Sequence, residues 1–384
     1  MKKKGIVIWL ILAAATVVVN LIAWNSKAFC DWHVKWMFPA AVNLYGRLMS
    51  SFPFSVGEWM IVAGVLLCVA AIPVFLLGIL WKKDVIRRFA CGYFRFMLWT
   101  VLIICIVMTY NCFILYHSSE FDEKYMQDKV SGQYTDEHLA AVRDHMVEQL
   151  NELTVQMDRD EKGYLIYEDS ITRNAVTAMQ ELGKEYEQLS GYYPRAKEIH
   201  ASDFLSQEYM MGYYFPFSLE ANYNDVMYIM SKPATMCHEL AHTKGFIYED
   251  EANLIGFLAC LHSDDIMFQY SGYLSVLTYI DNDFIESIDH NTEIYNSHVK
   301  ISAQVKKDRV FLTEDAWTEV EKKAVVSTKT VKKASNAFTN TTLILNGVEQ
   351  GSASYGEVVG LLMDYYMCMD DNRMQTEYLV TTEE

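Results

Sequence analysis

Three long apolar runs in the first third of this 384-residue chain constrain its fold more than any other feature. They cover residues 5–24, 59–81 and 96–116, and none of them contains a charged side chain. A helix of about 20 apolar residues spans the hydrocarbon core of a bilayer, and the Trp and Tyr residues at the borders favour membrane interfaces. The sequence therefore predicts three transmembrane helices. Residues 1–116 would form an anchor in the lipid bilayer, and 117–384 would form a separate domain.

The cations of the short loops predict the orientation of these helices. Lys2 to Lys4 precede the first run, and five Lys or Arg residues lie at 82–95, between the second and third runs. Such cations are retained in the cytoplasm. A cleaved signal peptide is the alternative for the first run, but its 20 uncharged residues exceed the usual h-region of about 7 to 15. We therefore expect a multi-pass protein of the cell membrane, with a cytoplasmic N terminus, the 26–58 loop outside and an extracytoplasmic C-terminal domain.

Charge is distributed unevenly between the two parts. Residues 1–116 contain 11 Lys or Arg against 3 Asp or Glu, whereas the rest of the chain contains 21 basic and 46 acidic residues. An acidic surface repels phosphates, so we expect no nucleic acid partner. The outer domain contains only Cys237, Cys260 and Cys368, an odd number without close spacing, which indicates buried thiols and not a disulfide framework.

Apolar periodicity predicts that the outer domain is mostly helical. Apolar residues recur every three or four positions from Leu139 to Met157, after a capping Thr135, and again from Ile171 to Leu189. Aromatic residues interrupted by Gly, Pro and Asn between 209 and 230 predict two short strands and a turn. Further helices are expected near 250–280, 291–308, 314–333 and 355–369, with a strand at 341–345. The predicted fold class is therefore mainly α, with a small β element.

The segment Cys237-His238-Glu239-Leu240-Ala241-His242 contains the H-E-x-x-H pattern of zinc peptidases. Residues four apart share one face of a helix, so His238 and His242 can bind one zinc ion. Glu239 lies beside that pair, where its carboxylate can take a proton from a zinc-bound water. The motif therefore predicts a zinc site with Glu239 as the catalytic base.

A third ligand is expected from the next helix. Gly245 provides a helix C-cap, and the sequence after it opens a second helix at 249–253. Glu249 and Asn253 share a face of that helix, where the carboxylate can reach the metal and the amide can orient a ligand imidazole. Glu251 is the competing ligand. Helix spacing favours Glu249, because the residue one turn after Glu251 is apolar.

Tyr270 and Tyr273 are weaker candidates for the same site. A Tyr hydroxyl can stabilise the oxyanion of a tetrahedral intermediate, which makes both residues candidate transition-state stabilisers. The chain contains 25 tyrosines, and packing is the more common role of each. The other eight histidines have no ligand-like partner at helical spacing, so we interpret them as structural or surface groups.

The motif followed by E-x-x-A-N resembles the gluzincin arrangement of zinc metallopeptidases, in which a downstream helix supplies a Glu ligand and a polar residue four positions later supports a His. The glycine that follows the motif, Gly245, also resembles the metzincin pattern, but Tyr248 stands where metzincins carry a third His ligand. The three apolar runs, together with segments at 212–222, 238–253, 270–273 and 354–356, resemble an uncharacterised family of bacterial membrane proteins of unknown function. That resemblance covers nearly the whole chain and implies a bacterial source and a zincin-like outer domain.

The sequence thus leads to the hypothesis of a membrane-anchored zinc metallopeptidase that hydrolyses a peptide or protein substrate outside the cytoplasm. An intramembrane protease is disfavoured, because polar residues such as Lys232 and Lys244 flank the motif. The alternative is a non-catalytic sensor or scaffold domain that keeps a metal for folding. Glu239 favours catalysis, since a structural site needs no base beside its ligands.

Overall fold

The computed structural model describes residues 3–81, 83–126, 134–331 and 358–368. The chain is mainly helical with one small sheet, as predicted. It divides into two compact units: one contains 1–118 and 215–220, and the other contains 119–214 and 221–384. The strand predicted at 341–345 lies outside the described residues.

The first unit contains the three apolar helices. In chain order its α-helices are α1 (Lys3–Asn25), α2 (Lys27–Trp32), α3 (Phe38–Ala41), α4 (Arg47–Ser50), α5 (Val56–Leu80) and α6 (Asp84–Met108). Of these, α1, α5 and α6 with its continuation to residue 117 are long and apolar enough to cross a membrane. The three predicted spans are therefore present as helices.

Two segments that the sequence predicted as loops are helical. The cations Arg87, Arg88 and Arg95 lie on α6, which begins at Asp84, well before the apolar run. Hydropathy detects the apolar stretch but not the residue at which the helix begins. Arg is itself a good helix former, so the helix can extend through these cations. The loop expected between the first two spans contains α2, α3 and α4, joined by the π-helical turns His33–Met37 and Val42–Gly46.

The carboxylate of Glu220 caps α5. It accepts hydrogen bonds from the backbone N–H groups of Val56 at 3.2 Å and Gly57 at 2.8 Å. A negative charge at a helix N terminus is favourable, because the first N–H groups have no partner within the helix. The Asn111 side chain, just beyond α6, donates to the carbonyl of Pro216 at 2.6 Å. The start of α5, the end of the α6 segment and residues 215–220 therefore lie at the same end of the first unit.

The second unit is mainly helical and contains most of a three-stranded sheet. Its α-helices are α7 (Phe121–Tyr125), α8 (Asp136–Thr154), α9 (Ile171–Leu182), α10 (Ser202–Glu208), α11 (Lys232–His242), α12 (Glu249–Leu261), α13 (Ile266–Ser287), α14 (Thr292–Ser297), α15 (Ala303–Asp308), α16 (Glu314–Lys323) and α17 (Val358–Cys368). The strands are β1 (Lys197–Glu198), β2 (Gly212–Phe215) and β3 (Glu220–Tyr223), in the order β1-β3-β2. β2 and β3 are the two predicted strands. β1, which pairs parallel to β3, is too short to leave a periodic pattern.

The core of this unit fixes α11 and α12 against each other. α11 packs on α9, α12 and α13, and α8 packs on α13. Leu240 of α11 and Ile255 of α12 are fully buried, as is most of the apolar face of both helices. A Cβ atom on Gly256 would lie 3.0 Å from the backbone oxygen of Ala234, so the lack of a side chain there permits the close approach of the two helices.

Candidate metal centre

The two halves of the motif are brought together by a tight connection between α11 and α12. α11 ends at His242, and Gly245 adopts a φ of +91°, a left-handed conformation that glycine tolerates without a steric penalty. α12 begins at Glu249, after the extended residue Tyr248. The chain therefore reverses within a few residues and returns Glu249 to the side of α11 that carries the imidazoles.

The three predicted ligands converge. The Nε2 atoms of His238 and His242 lie 3.2 Å apart, and Nε2 of His238 lies 3.1 Å from Oε2 of Glu249. One ligand atom from each residue fits within 4.8 Å of the others. Zinc–ligand bonds of about 2.0 to 2.2 Å in tetrahedral geometry place neighbouring ligand atoms about 3.3 Å apart. The two measured separations match this spacing, so the three residues are a candidate site for one metal ion.

The opposite nitrogen of each imidazole has a hydrogen-bond acceptor. Nδ1 of His238 donates to Oδ1 of Asn253 at 2.9 Å, and Nδ1 of His242 donates to the carbonyl of Phe246 at 2.7 Å. A proton on Nδ1 leaves the Nε2 lone pair available to a metal, and such acceptors fix the orientation of ligand rings. The sequence indicated the role of Asn253. It gave no sign of Phe246, because a backbone carbonyl leaves no trace in side-chain patterns.

The three candidate ligands shift one another's pKa values. Burial disfavours the charged form of His238, but the hydrogen bond and charge of Glu249 outweigh burial and raise its pKa to about 9. Burial would raise the pKa of Glu249, but the hydrogen bond and charge of His238 lower it instead. Burial, with the charge of His238, lowers the pKa of His242 to about 4. At neutral pH a proton on His238 therefore balances the carboxylate of Glu249.

Glu239 lies beside the ligands without belonging to them. Burial raises the pKa of its carboxyl to about 8; the charge of His238 opposes this shift and the charge of Glu249 adds to it. Its Oε2 is buried and has no hydrogen-bond partner among the residues that the structure describes. Glu239, His238 and Glu249 line a cleft of about 580 Å³, whose other walls include Met211 and Leu274. A small polar molecule in this cleft would therefore meet a carboxyl group whose pKa lies near neutral pH.

The competing residues are engaged elsewhere. The carboxylate of Glu251 accepts a hydrogen bond from the backbone N–H of Phe121, which leaves Glu249 as the carboxylate beside the imidazoles. Tyr270 is fully buried, and its hydroxyl donates to Asp308 at 2.7 Å. Tyr273 packs edge-on against a phenylalanine of α12. Neither tyrosine is among the described residues that line the cleft, so their role as transition-state stabilisers stays a prediction.

The chain matches one known protein family. The sequence model of a family described as "Protein of unknown function (DUF3810)" matches residues 33–363. No curated protein and no solved structure gives a significant match to the chain.

Proposed function

The chain belongs to the DUF3810 family, and from the geometry of its own residues we propose that it is a membrane-anchored zinc metallopeptidase of the gluzincin type. His238, His242 and Glu249 would hold the zinc, and Glu239 would act as the general base. The single observation that carries the proposal is the Glu239 carboxylate. It is buried next to the three converging ligands, has an oxygen without a hydrogen-bond partner among the described residues, and lines the cleft.

The donor set supports zinc and a catalytic role for it. Two imidazoles and one carboxylate are a ligand set of catalytic zinc sites, which keep a fourth position open, whereas structural sites use four protein ligands. When bound, zinc acts as a Lewis acid that polarises a carbonyl and makes water a stronger nucleophile. The acceptors at Asn253 and Phe246 hold the rings in the orientation that exposes Nε2.

Glu239 has the properties that a general acid–base residue requires. A pKa close to the working pH lets one group accept a proton and later return it. Burial raises the pKa of Glu239 to about 8. Its carboxylate would take a proton from the water that attacks the peptide carbonyl, and would then donate that proton to the departing amine. Because the side chain is only 4% exposed, bulk water competes little for this proton.

The distribution of cations supports an extracytoplasmic location for the site. Lys83, Arg87, Arg88 and Arg95 cluster at the α5–α6 junction, and the N terminus carries further lysines. Residue 117, where the third span ends, is separated from this junction by that span, and the second unit begins at residue 119. With the cationic end in the cytoplasm, the second unit belongs outside.

The alternative function is a scaffold or sensor in which a metal merely ties α11 to α12. Glu239→Gln separates the two, because it keeps the size of the side chain and removes the base. In the full-length protein in detergent we expect zinc content and thermal stability near wild type, with peptidase activity lower by about two to four orders of magnitude. A peptide library read by mass spectrometry supplies the substrate.

Two further variants calibrate this comparison. Glu249→Gln removes a ligand charge and should lower zinc content together with activity. Glu251→Gln on the same helix retains an acceptor oxygen for the Phe121 N–H and should keep both. If the folded, zinc-loaded wild type cleaves no peptide and Glu239→Gln leaves the cellular phenotype intact, the scaffold function replaces the peptidase.

A further inference from the structure

The segment 27–50, which comprises α2, α3, α4 and the two π-helical turns between them, crosses one end of the first unit. Near its start, Nε2 of His33 donates to the carbonyl of Tyr110 at 2.8 Å. Near its end, the hydroxyl of Tyr45 donates to the carbonyl of Phe217 at 3.1 Å, and the neighbouring Pro216 carbonyl bonds to Asn111. The start of the segment therefore contacts the turn beyond α6, and its end contacts residues 215–220, which lie at the same end of the first unit.

This pair of contacts fixes the direction of the segment. Residues 33 and 45 are about 18 Å apart along a helix that rises 1.5 Å per residue. A helix alongside α6 would place its two ends that far apart along α6, whereas residues 215–220, which Tyr45 contacts, bond to Asn111, the residue after Tyr110. The segment therefore runs across the end of α6 instead of alongside it.

The π-helical turns keep one face of the segment buried over its length. Cys30, Val34, Phe38 and Val42 are at most 2% exposed and are spaced by four residues. That spacing overshoots a 3.6-residue turn by about 40°, so the stripe would rotate around a regular α-helix. Each π-helical turn inserts one extra residue and corrects the drift. The residues opposite this stripe therefore also stay on one face along the whole segment.

The opposite face is apolar and exposed. Trp32, Trp36, Leu44 and Leu48 expose 50%, 61%, 81% and 57% of their surfaces. Leaving such side chains in water forgoes roughly 25 cal/mol for each Å² that could be buried. A contiguous apolar face of this kind marks a surface that is covered by something else.

We propose that this face lies in the boundary between headgroups and acyl chains of the bilayer, so that 27–50 is an interfacial helix whose partner is the lipid surface. Ser26 alone separates it from α1, and residues 51–55 lead directly into α5, so its exposed face continues the lipid-facing surface of two spans. Tryptophans at this level prefer the interface, and Lys35 and Arg47 can reach lipid phosphates from it. The inference is independent of the peptidase function.

Photo-cross-linking in phospholipid vesicles tests this placement with the full chain. p-Benzoyl-phenylalanine would replace Trp36 or Leu44, both exposed, so that the buried stripe and the fold are kept. Ile72 of α5, 67% exposed, is the positive control within a span, and Val155 of the second unit, 80% exposed, is the negative control. We expect lipid adducts by mass spectrometry at 36 and 44 with a yield similar to that at 72, and none at 155.

Two outcomes would overturn the proposal. Absence of lipid adducts at 36 and 44, with adducts at 72, would mean that the face is open to water. Cross-links from 36 and 44 to a second copy of the chain, or to another protein when the experiment is done in native membranes, would mean that a protein covers the face. The Leu44→Asp variant adds an independent measurement, since it should weaken binding of the segment to the interface and raise its hydrogen-exchange rate in vesicles.

Discussion

Gly212 lies directly against the carboxylate of Glu239. A Cβ atom at position 212 would lie 2.7 Å from Oε1 of Glu239 and 2.6 Å from the backbone oxygen of Asn222. Both distances are shorter than a carbon atom tolerates, and the second involves backbone that cannot move freely. The proposed base can therefore occupy its position beside β2 only because residue 212 has no side chain.

The Gly212→Ala variant should consequently displace Glu239 while leaving the zinc ligands in place. A shift of about 1 Å at a reacting group costs about 100-fold in rate, so we expect a loss of peptidase activity of that order with unchanged zinc content. Activity assays and elemental analysis check this. Gly360→Ala, where a Cβ meets no atom within 4 Å, is the matched control. Normal activity in Gly212→Ala would contradict the packing argument.

Replacing either His238 or His242 with Ala should abolish stoichiometric zinc. A ligand that binds only the folded state stabilises it, so a chelator should lower the melting temperature of the wild type but not of either variant. Elemental analysis and thermal melts measure both effects. His262→Ala provides the control, because that ring lies 3.2 Å from Glu185 and outside the ligand cluster. Full zinc stoichiometry in His238→Ala would contradict the proposed zinc site.

Asn253→Ala should weaken zinc binding without removing a ligand. The amide oxygen accepts a hydrogen bond from Nδ1 of His238. Loss of such an acceptor typically lowers metal affinity about 10- to 100-fold. Competition with a chromophoric chelator measures the affinity. Asn253→Asp retains an acceptor oxygen and should restore most of it. Equal affinities for wild type and Asn253→Ala would show that the ring is oriented by packing alone.

Zinc binding near pH 7 should release protons. The pKa of His238, about 9, lies above its ordinary value, so the ring is protonated below pH 9 and must lose that proton before Nε2 can bind a metal. Glu239, with a pKa of about 8, should lose its proton beside the cation as well, whereas His242, at about 4, is already neutral. Apparent zinc affinity therefore rises with pH between 7 and 9 and levels off above that range.

Calorimetry in buffers of different ionisation enthalpy measures this release. At pH 7 the wild type should release about two protons per zinc and Glu239→Gln about one, since the amide has no proton to lose. A zinc affinity that is flat across pH 7 to 9 would mean that His238 is neutral in the zinc-free protein.

The proposed orientation predicts the behaviour of reporter fusions. Alkaline phosphatase fused after Ser118 should be active, because that point lies beyond the third span, and a fusion after Trp81 should be inactive, because it reports the cationic junction of α5 and α6. The reverse pattern would place the metal site in the cytoplasm.

The sequence by itself determined those features that depend on neighbouring residues. The three spans follow from apolar runs, and the pairing of His238 with His242 follows from a spacing of four on a helix. The same spacing related Glu249 to Asn253. These relations hold in any fold that forms the helices, because helix geometry fixes which side chains share a face.

Tertiary structure decided what lies across from those faces. Helix spacing favoured Glu249 over Glu251, but only the packing of α12 on α11 turns one carboxylate to His238 and leaves the other to the Phe121 N–H. The same holds for Gly212 beside Glu239 and for Glu220 at the start of α5. Residues far apart in sequence meet only when burial of apolar surface and close packing select one arrangement of the elements, and no local pattern records that choice.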